Sequence, residues 1–373
     1  MSVIFYFFLV FLYQTFDSVM VANIIYYLIM IRDIFKGKVL RIKKGLITNT
    51  FFLLFVVWVI LSTAIFALSN ENFSMRNLVQ FLFTLQYFIF IIDLNVDLKK
   101  FERWFFRFCI LLSSIIIILF IVSGQYMNIS NIYTSGRLWA NNYIPGWPNG
   151  TSIPLLFGLW LSIKENKSKV YSLLIIIALV LTTSRGALLG IVAIISYYAF
   201  KAMRKNKSKW IFVFIPVTVA GLIFWNDIII SIFQLVPSLE YRMSVTYDRQ
   251  DIIYTTMQYI SNRPFLGFGG NSLDQVIDIY GNVSQYGIKW SHTHNWILDM
   301  TLRYGFIGLI LFSGFMISIL LKIKDKDKQF MFLLMLVLSL FQIYMRNFAI
   351  LFLMVYLTKG SLNVYDRESS YRP

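Results

Sequence analysis

Cysteine is nearly missing from this chain: Cys109 stands alone among 373 residues. That excludes an intrachain disulfide framework, and inside an apolar run a lone cysteine reads as a small apolar residue. Histidine is almost as scarce, with only His292 and His294. A zinc site built on this pair would need further His, Cys or carboxylate ligands. Charge is thin too: Asp, Glu, Lys and Arg make up 14% of the chain, against about a quarter in ordinary soluble domains. The first apolar segment has no cleavage site followed by a soluble domain, so it is expected to be retained.

What fills the chain is hydrocarbon. Apolar residues reach 58%, and runs such as FFLLFVVWVILSTAIFAL (51–68) and WFFRFCILLSSIIIILFIVSG (104–124) approach the roughly 20 residues that a membrane helix needs. The expectation is an all-α polytopic membrane protein. Spans are predicted at 49–68, 77–93, 107–123, 151–163, 170–183, 187–200, 210–233, 296–321, 330–345 and 348–358. A hairpin within residues 1–31, turning near Asp17, would bring the total to about twelve (10–12), with both termini cytoplasmic. The chain then divides into membrane helices with short outer loops (1–233), a long partly helical outer loop (234–295), C-terminal membrane helices (296–358) and a cytoplasmic tail (359–373).

The net charge of +16 is explained by topology. Lys and Arg cluster at 32–44, 99–107, 164–169, 201–209 and 322–328, all of which can lie on one side of the membrane as cytoplasmic loops. These basic loops are short and form no nucleic-acid-binding module, so nucleic acid is not an expected partner. The opposite face keeps few basic residues, among them Arg76, Arg137, Arg185, Arg249, Arg263 and Arg346. Arg303 falls inside a span.

That outer face carries the chemistry. In TTSRGALLG (182–190), Arg185 lies in a short turn between two apolar runs. It reads either as an anchor at head-group level or as an anion contact, because a guanidinium fork matches phosphate oxygens. In TYDRQDIIYTTMQYIS (246–261), Ile252, Ile253, Thr256, Met257 and Ile260 fall at near-helical spacing. This predicts an amphipathic helix with Asp248 as N-cap and Arg249 in its first turn, stopped by Pro264 and the glycines of NRPFLGFGG. Those glycines are not a dinucleotide site, since no strand–turn–helix unit surrounds them. GRLWANNYIPGWPNGTS (136–152) holds Arg137 among Trp139, Tyr143 and Trp147, which suit an interfacial belt or stacking on sugar rings. SHTHNWILDM (291–300) holds both histidines just before an apolar helix. A water-exposed pair, a metal site and a general base able to take a hydroxyl proton near neutral pH all remain open there.

Three of these stretches together resemble the O-antigen ligase/polymerase superfamily: TTSRGALLG; the run R-x14-P-x2-G-x-G from Arg249 through Pro264, Gly267 and Gly269; and HN-x9-G-x2-G from His294 and Asn295 through Gly305 and Gly308. WPNGTS (147–152) is similar to the family's Pro-Asn segment. The resemblance covers about residues 135–320. It implies a GT-C-like, metal-independent glycosyltransferase of the bacterial inner membrane, without a cofactor, working on the periplasmic side. The implied donor and acceptor are glycans carried on undecaprenyl diphosphate, with a flippase and a chain-length regulator as possible companions. Carried over, His294 is the base, Arg185 and Arg249 grip the diphosphate, and Asn295 orients the acceptor or His294. Outside that carry-over, Arg137, Arg303 and Arg346 are expected as further substrate contacts. The activity implied is polymerisation of O-antigen or capsule repeat units; transfer to lipid A–core by a ligase is the alternative, and a flippase or transporter a more distant one. One departure stands out: where the family often has Glu two residues before the Gly of the His motif, this chain has Arg303, with Asp299 four residues earlier at salt-bridge spacing.

Overall fold

The computed structural model describes residues 49–69, 98–122, 148–182, 184–205, 240–290, 292–340 and 357, and all regular structure among them is helical. In chain order these helices are α1 (Thr50–Ser69), α2 (Leu98–Val122), α3 (Pro148–Lys164), α4 (Lys169–Leu181), α5 (Arg185–Lys205), α6 (Glu240–Asn262), α7 (Leu273–Tyr280), α8 (Trp296–Lys322) and α9 (Lys326–Leu338). Four of the described helices are long and apolar enough to cross a membrane, at Thr50–Ser69, Phe101–Val122, Gly186–Arg204 and Trp296–Lys322. The chain is therefore an α-helical membrane protein. The expected spans at 77–93 and 210–233, the N-terminal hairpin, nearly all of 348–358 and the C-terminal tail lie outside the described residues.

The chain clusters into two units, Met1–Phe101 with Arg249–Pro373, and Glu102–Asp248. In the first, α1 and α8 form an antiparallel pair. The buried side of α1 is Phe52, Phe55, Val59, Ser62, Thr63 and Phe66, a three-and-four stripe along one helix face. Phe52 meets Phe315 at 5.0 Å, Phe55 meets Phe312 at 5.2 Å, and the Asn49 amide donates to the Ser318 hydroxyl at 2.5 Å. The other side of α1 leaves Phe51, Leu54, Val57, Leu61 and Ile65 exposed, as a lipid-facing surface does. In the second unit α3 is central. It is hydrophobic all round, with Ile153, Leu155, Phe157, Leu159 and Trp160 fully buried, which is what a helix surrounded by others requires. Gly158 lets the Cys109 side chain of α2 approach, and Gly190 of α5 makes room for Leu156.

Two expectations are corrected here. The helix predicted from Asp248 begins at Glu240, so Asp248 is not its cap and Arg249 is not in its first turn. The predicted apolar face of that helix is also divided: Ile252, Thr256 and Ile260 are buried, while Ile253 and Met257 are exposed. The core on this side takes Tyr259 instead, joined by Phe66, Phe268, Leu273, Val276, Ile277 and Leu302.

Candidate active site

The region between α6 and α8 is built on backbone-to-backbone contact. After Pro264 the chain runs through Gly267, Gly269 and Gly270, with φ of 66°, 58° and 86°, in the left-handed range open to glycine. It lies against a break in α8. Gly305 there has φ 67° and ψ −176°, so the helix stops and restarts. The two halves bend sharply towards each other: the Trp296 and Phe312 rings are 5.8 Å apart, where a straight helix would separate these residues by about 24 Å.

A break in a membrane helix frees backbone groups that lipid cannot satisfy. Four of them have partners here. The Leu302 carbonyl accepts from Phe268 N at 2.9 Å, the Arg303 carbonyl from Gly270 N at 3.3 Å, and the Tyr304 carbonyl from the Trp58 indole at 2.8 Å. Phe306 N donates to the Pro264 carbonyl at 2.7 Å. A Cβ on Gly267 would lie 2.5 Å from Arg303 C and Gly305 N, and one on Gly305 would lie 2.0 Å from the Phe265 oxygen. The glycines of the two sequence motifs are therefore two sides of one joint.

Arg303 closes that joint. It is 4% exposed. Its Nε donates to Asp299 Oδ2 at 2.9 Å and its Nη1 to the Gly270 carbonyl. Of the two roles left open for Arg303, the geometry supplies the ion pair with Asp299 and ties the glycine loop to the first half of α8. Its Nη2 is buried with no hydrogen-bond partner among the described residues.

The histidine segment is pinned at both ends. Thr293 is buried, and its hydroxyl donates to the Asn295 carbonyl at 3.1 Å. Asn295 caps α8, its Oδ1 accepting from Ile297 N at 2.9 Å and Leu298 N at 3.3 Å. Trp296 N donates to the Ser339 carbonyl at the end of α9. Between these anchors His294 adopts φ 52°, uncommon for a residue with a side chain, and its ring is exposed. The His292 ring, also exposed, lies edge-on at 6.3 Å between centroids.

A buried carboxylate that sequence reasoning missed links this segment to the arginine helix. Asp251 Oδ2 accepts from the Trp290 indole and the Ser284 hydroxyl, both at 2.5 Å, and Oδ1 accepts from Gln285 N at 2.8 Å. Burial pushes this carboxyl up, but the three donors outweigh burial and hold it below its ordinary value. Arg249, exposed on α6, is two residues from Asp251, and Trp290 is two residues before His292. The signal available in sequence was an acidic residue in a helix with no basic residue three or four positions away; nothing there pointed to Trp290. In the second unit the turn expected at Ser184–Gly186 ends earlier in the chain. Ser184 Oγ accepts from Ala187 N at 3.3 Å, and Arg185 is the first residue of α5. Arg137 and Arg346 lie outside the described residues.

A broken membrane helix, a glycine loop wedged into its break and a pinned, exposed histidine define the class: a helical membrane protein with a candidate site beside the break of a long helix. Comparison with known proteins adds a likeness over part of the chain. Residues 170–313, which contain Arg185, Arg249, the glycine loop, His294 and Gly305, match the O-antigen ligase family, so this part of the chain is O-antigen ligase-like. The chain is also 27% identical over 205 residues to a ComP-specific O-oligosaccharyltransferase of Acinetobacter baylyi. That match covers 50% of this chain and 35% of the relative, so the chain spans about a third of that protein's length.

Proposed function

We propose that this protein is a membrane glycosyltransferase that polymerises polyprenyl-diphosphate-linked oligosaccharide repeat units, into O-antigen or capsular polysaccharide, at the periplasmic face of the bacterial inner membrane. The likeness to the O-antigen ligase family supports glycan transfer. The observation that carries the chemical reading is His294, fixed in backbone between Thr293 and the capping Asn295 with its ring at the surface. In the proposed step the acceptor hydroxyl attacks the anomeric carbon of the donor glycan. Its proton passes to the neutral His294 imidazole, the bond from that carbon to the diphosphate oxygen breaks, and polyprenyl diphosphate leaves. Arg185 and Arg249 neutralise the leaving diphosphate, a role that forked guanidinium donors fill by charge stabilisation. Arg137 and Arg346 belong to the same outer-face set. The proposal includes a GT-C-like arrangement of about twelve spans with 234–295 in the periplasm, and a flippase and chain-length regulator as companions. Arg303 and Asn295 act from behind, holding the glycine loop and the start of α8.

The test is conversion of purified lipid-linked repeat units by the full chain in detergent, read as a ladder of chain lengths. His294→Ala is expected to lose a factor of roughly 10²–10⁴, the usual contribution of a positioned base, while His292→Ala keeps substantial activity. Near-normal ladders from His294→Ala would remove the base from the mechanism. A second reading, transfer of the finished glycan to lipid A–core, is favoured by the ligase family's own description. It predicts no ladder from repeat units alone and product only when the separate acceptor is added.

A further inference from the structure

α6 is apolar on two sides, and only one of them is accounted for by the core. Ile252, Tyr259 and Ile260 are buried against Phe66, Phe268 and α7. On the other side Ile253 is 47% exposed and Met257 48%, one helical turn apart, with Tyr254 beside them and Phe265 64% exposed just past the end of the helix. A purely water-facing helix surface gains nothing from this row. We propose that this stripe of α6 lies in the plane of the membrane surface, with Ile253, Met257 and Phe265 inserted at the boundary between head groups and acyl chains.

The depth follows from the neighbours. Phe66 belongs to the last turn of α1, a 20-residue apolar helix that, at about 1.5 Å per residue, is about 30 Å long, enough to cross the hydrocarbon layer. The buried side of α6 packs on that residue. Phe265 stands at the break of α8, its carbonyl oxygen 2.0 Å from where a Gly305 Cβ would lie. Beyond the break, Phe306 to Leu321 carry no charge, and Phe306 is itself exposed. The stripe is thus held at the level where two apolar spans end. Its charges fit the same occupant. Arg249 precedes Ile253 by one turn on the same face, and the Arg263 guanidinium lies 5.1 Å from the Phe66 ring centroid and 5.9 Å from that of Phe268. Basic residues flanking an apolar helical stripe are the chemistry of an anionic lipid surface. The consequence for Arg249 is a fixed height, that of the phosphates.

The experiment places nitroxide labels on the full chain in phospholipid nanodiscs, in a Cys109→Ala background, at Ile253→Cys, Met257→Cys and Phe265→Cys, with Gln258→Cys and Asp278→Cys as water-facing controls. Collision with oxygen should exceed collision with a water-soluble nickel chelate at 253, 257 and 265, and the order should reverse at 258 and 278. Nickel-dominated relaxation at 253 and 257 would overturn the proposal. So would oxygen-dominated relaxation that arises only when a polyprenyl diphosphate is added, which would assign the stripe to a substrate tail. A second readout spares the side chains altogether: in the unmodified protein, a phospholipid carrying a photoactivated diazirine in its acyl chain should label the peptide spanning 253–265, and absence of label there also overturns the proposal. Neither readout depends on the catalytic reading, and His294→Ala protein should give the same pattern.

Discussion

Glycine is used in two different ways in the two units of this protein. In Glu102–Asp248, Gly158 and Gly190 are recesses for side chains: an added Cβ would meet the Cys109 side chain at 2.7 Å in one case and the Leu156 methyls at 2.6 and 2.7 Å in the other. In the other unit, Gly267 and Gly305 are recesses for main chain, where the atoms met are a carbonyl carbon, an amide nitrogen and a carbonyl oxygen. A leucine methyl can swing aside by changing rotamer. A peptide group held in hydrogen bonds at both ends cannot. The first arrangement makes a packed bundle that tolerates adjustment; the second makes a joint with one geometry, and the histidine and arginine segments hang from it.

Substitutions at these recesses should separate the two uses, most severely at the joint. Gly305→Ala meets the Phe265 oxygen at 2.0 Å and needs a backbone conformation that is essentially confined to glycine. The expected cost exceeds about 4 kcal/mol, at the extreme of single substitutions, read as loss of the monodisperse peak in detergent chromatography. Gly281→Ala is the control, since Gly281 also has positive φ, 85°, but nothing within 4 Å; it should cost only about 1–3 kcal/mol, the range for local backbone strain. If the two behave alike, the joint is not what the close contacts describe.

Breaking the ion pair behind the joint comes next. Asp299→Leu leaves Arg303 buried without its counter-charge, and one-sided removal of such a pair costs about 3–5 kcal/mol. Adding Arg303→Met should recover part of the melting temperature without restoring transfer, because the link to Gly270 is still missing. In the bundle, Gly190→Ala should cost about 1–3 kcal/mol, as overpacking against a movable side chain does. A melting point for Gly190→Ala as low as that of Gly305→Ala would erase the comparison.

The smallest effect is one of pH. The Asp251 carboxyl is held below its ordinary value in the folded protein. Its stabilising contribution is therefore complete above the unfolded value of about 3.9 and is lost as pH falls through the still lower folded value. Thermal stability should be insensitive to this group between about pH 5 and 8, and Asp251→Asn should flatten the acid limb of the melting curve.

The helices were largely legible because uninterrupted apolar runs leave little choice. The expected 49–68 is Thr50–Ser69, and 151–163 is Pro148–Lys164. Where boundaries moved, polar helical turns look like loop in the sequence. Lys99, Lys100 and Arg103 lie within α2, which begins at Leu98 rather than 107. The break in α8 was hidden, because 296–321 reads as one span and the cause of the break, the loop at 264–270, is some forty residues away in sequence. The spacing of the glycines in the two motifs was visible, but not that one set seats the other. For Arg303, charge type suggested a ligand and helical spacing suggested a pair; the pair with Asp299 is present, and the bond to the Gly270 carbonyl, a backbone group with no sequence signature, could not be foreseen. Asp251 escaped notice for the same reason, since its partners Ser284, Gln285 and Trp290 are 33 to 39 residues away.

The hydrogen bond from the Trp58 indole to the Tyr304 carbonyl also sets a timetable for synthesis. Its two ends are 246 residues apart. At about 5–20 residues per second, roughly 12–50 s pass between the appearance of one end and the other. During that interval α1 is already made, and its buried face has neither α8 nor the glycine loop to cover it. Its own apolarity, with no charged residue from Thr50 to Ser69, lets it enter the bilayer alone and wait. The joint is assembled last, after most of the chain has left the ribosome, and it forms only if an early helix has kept the right face available.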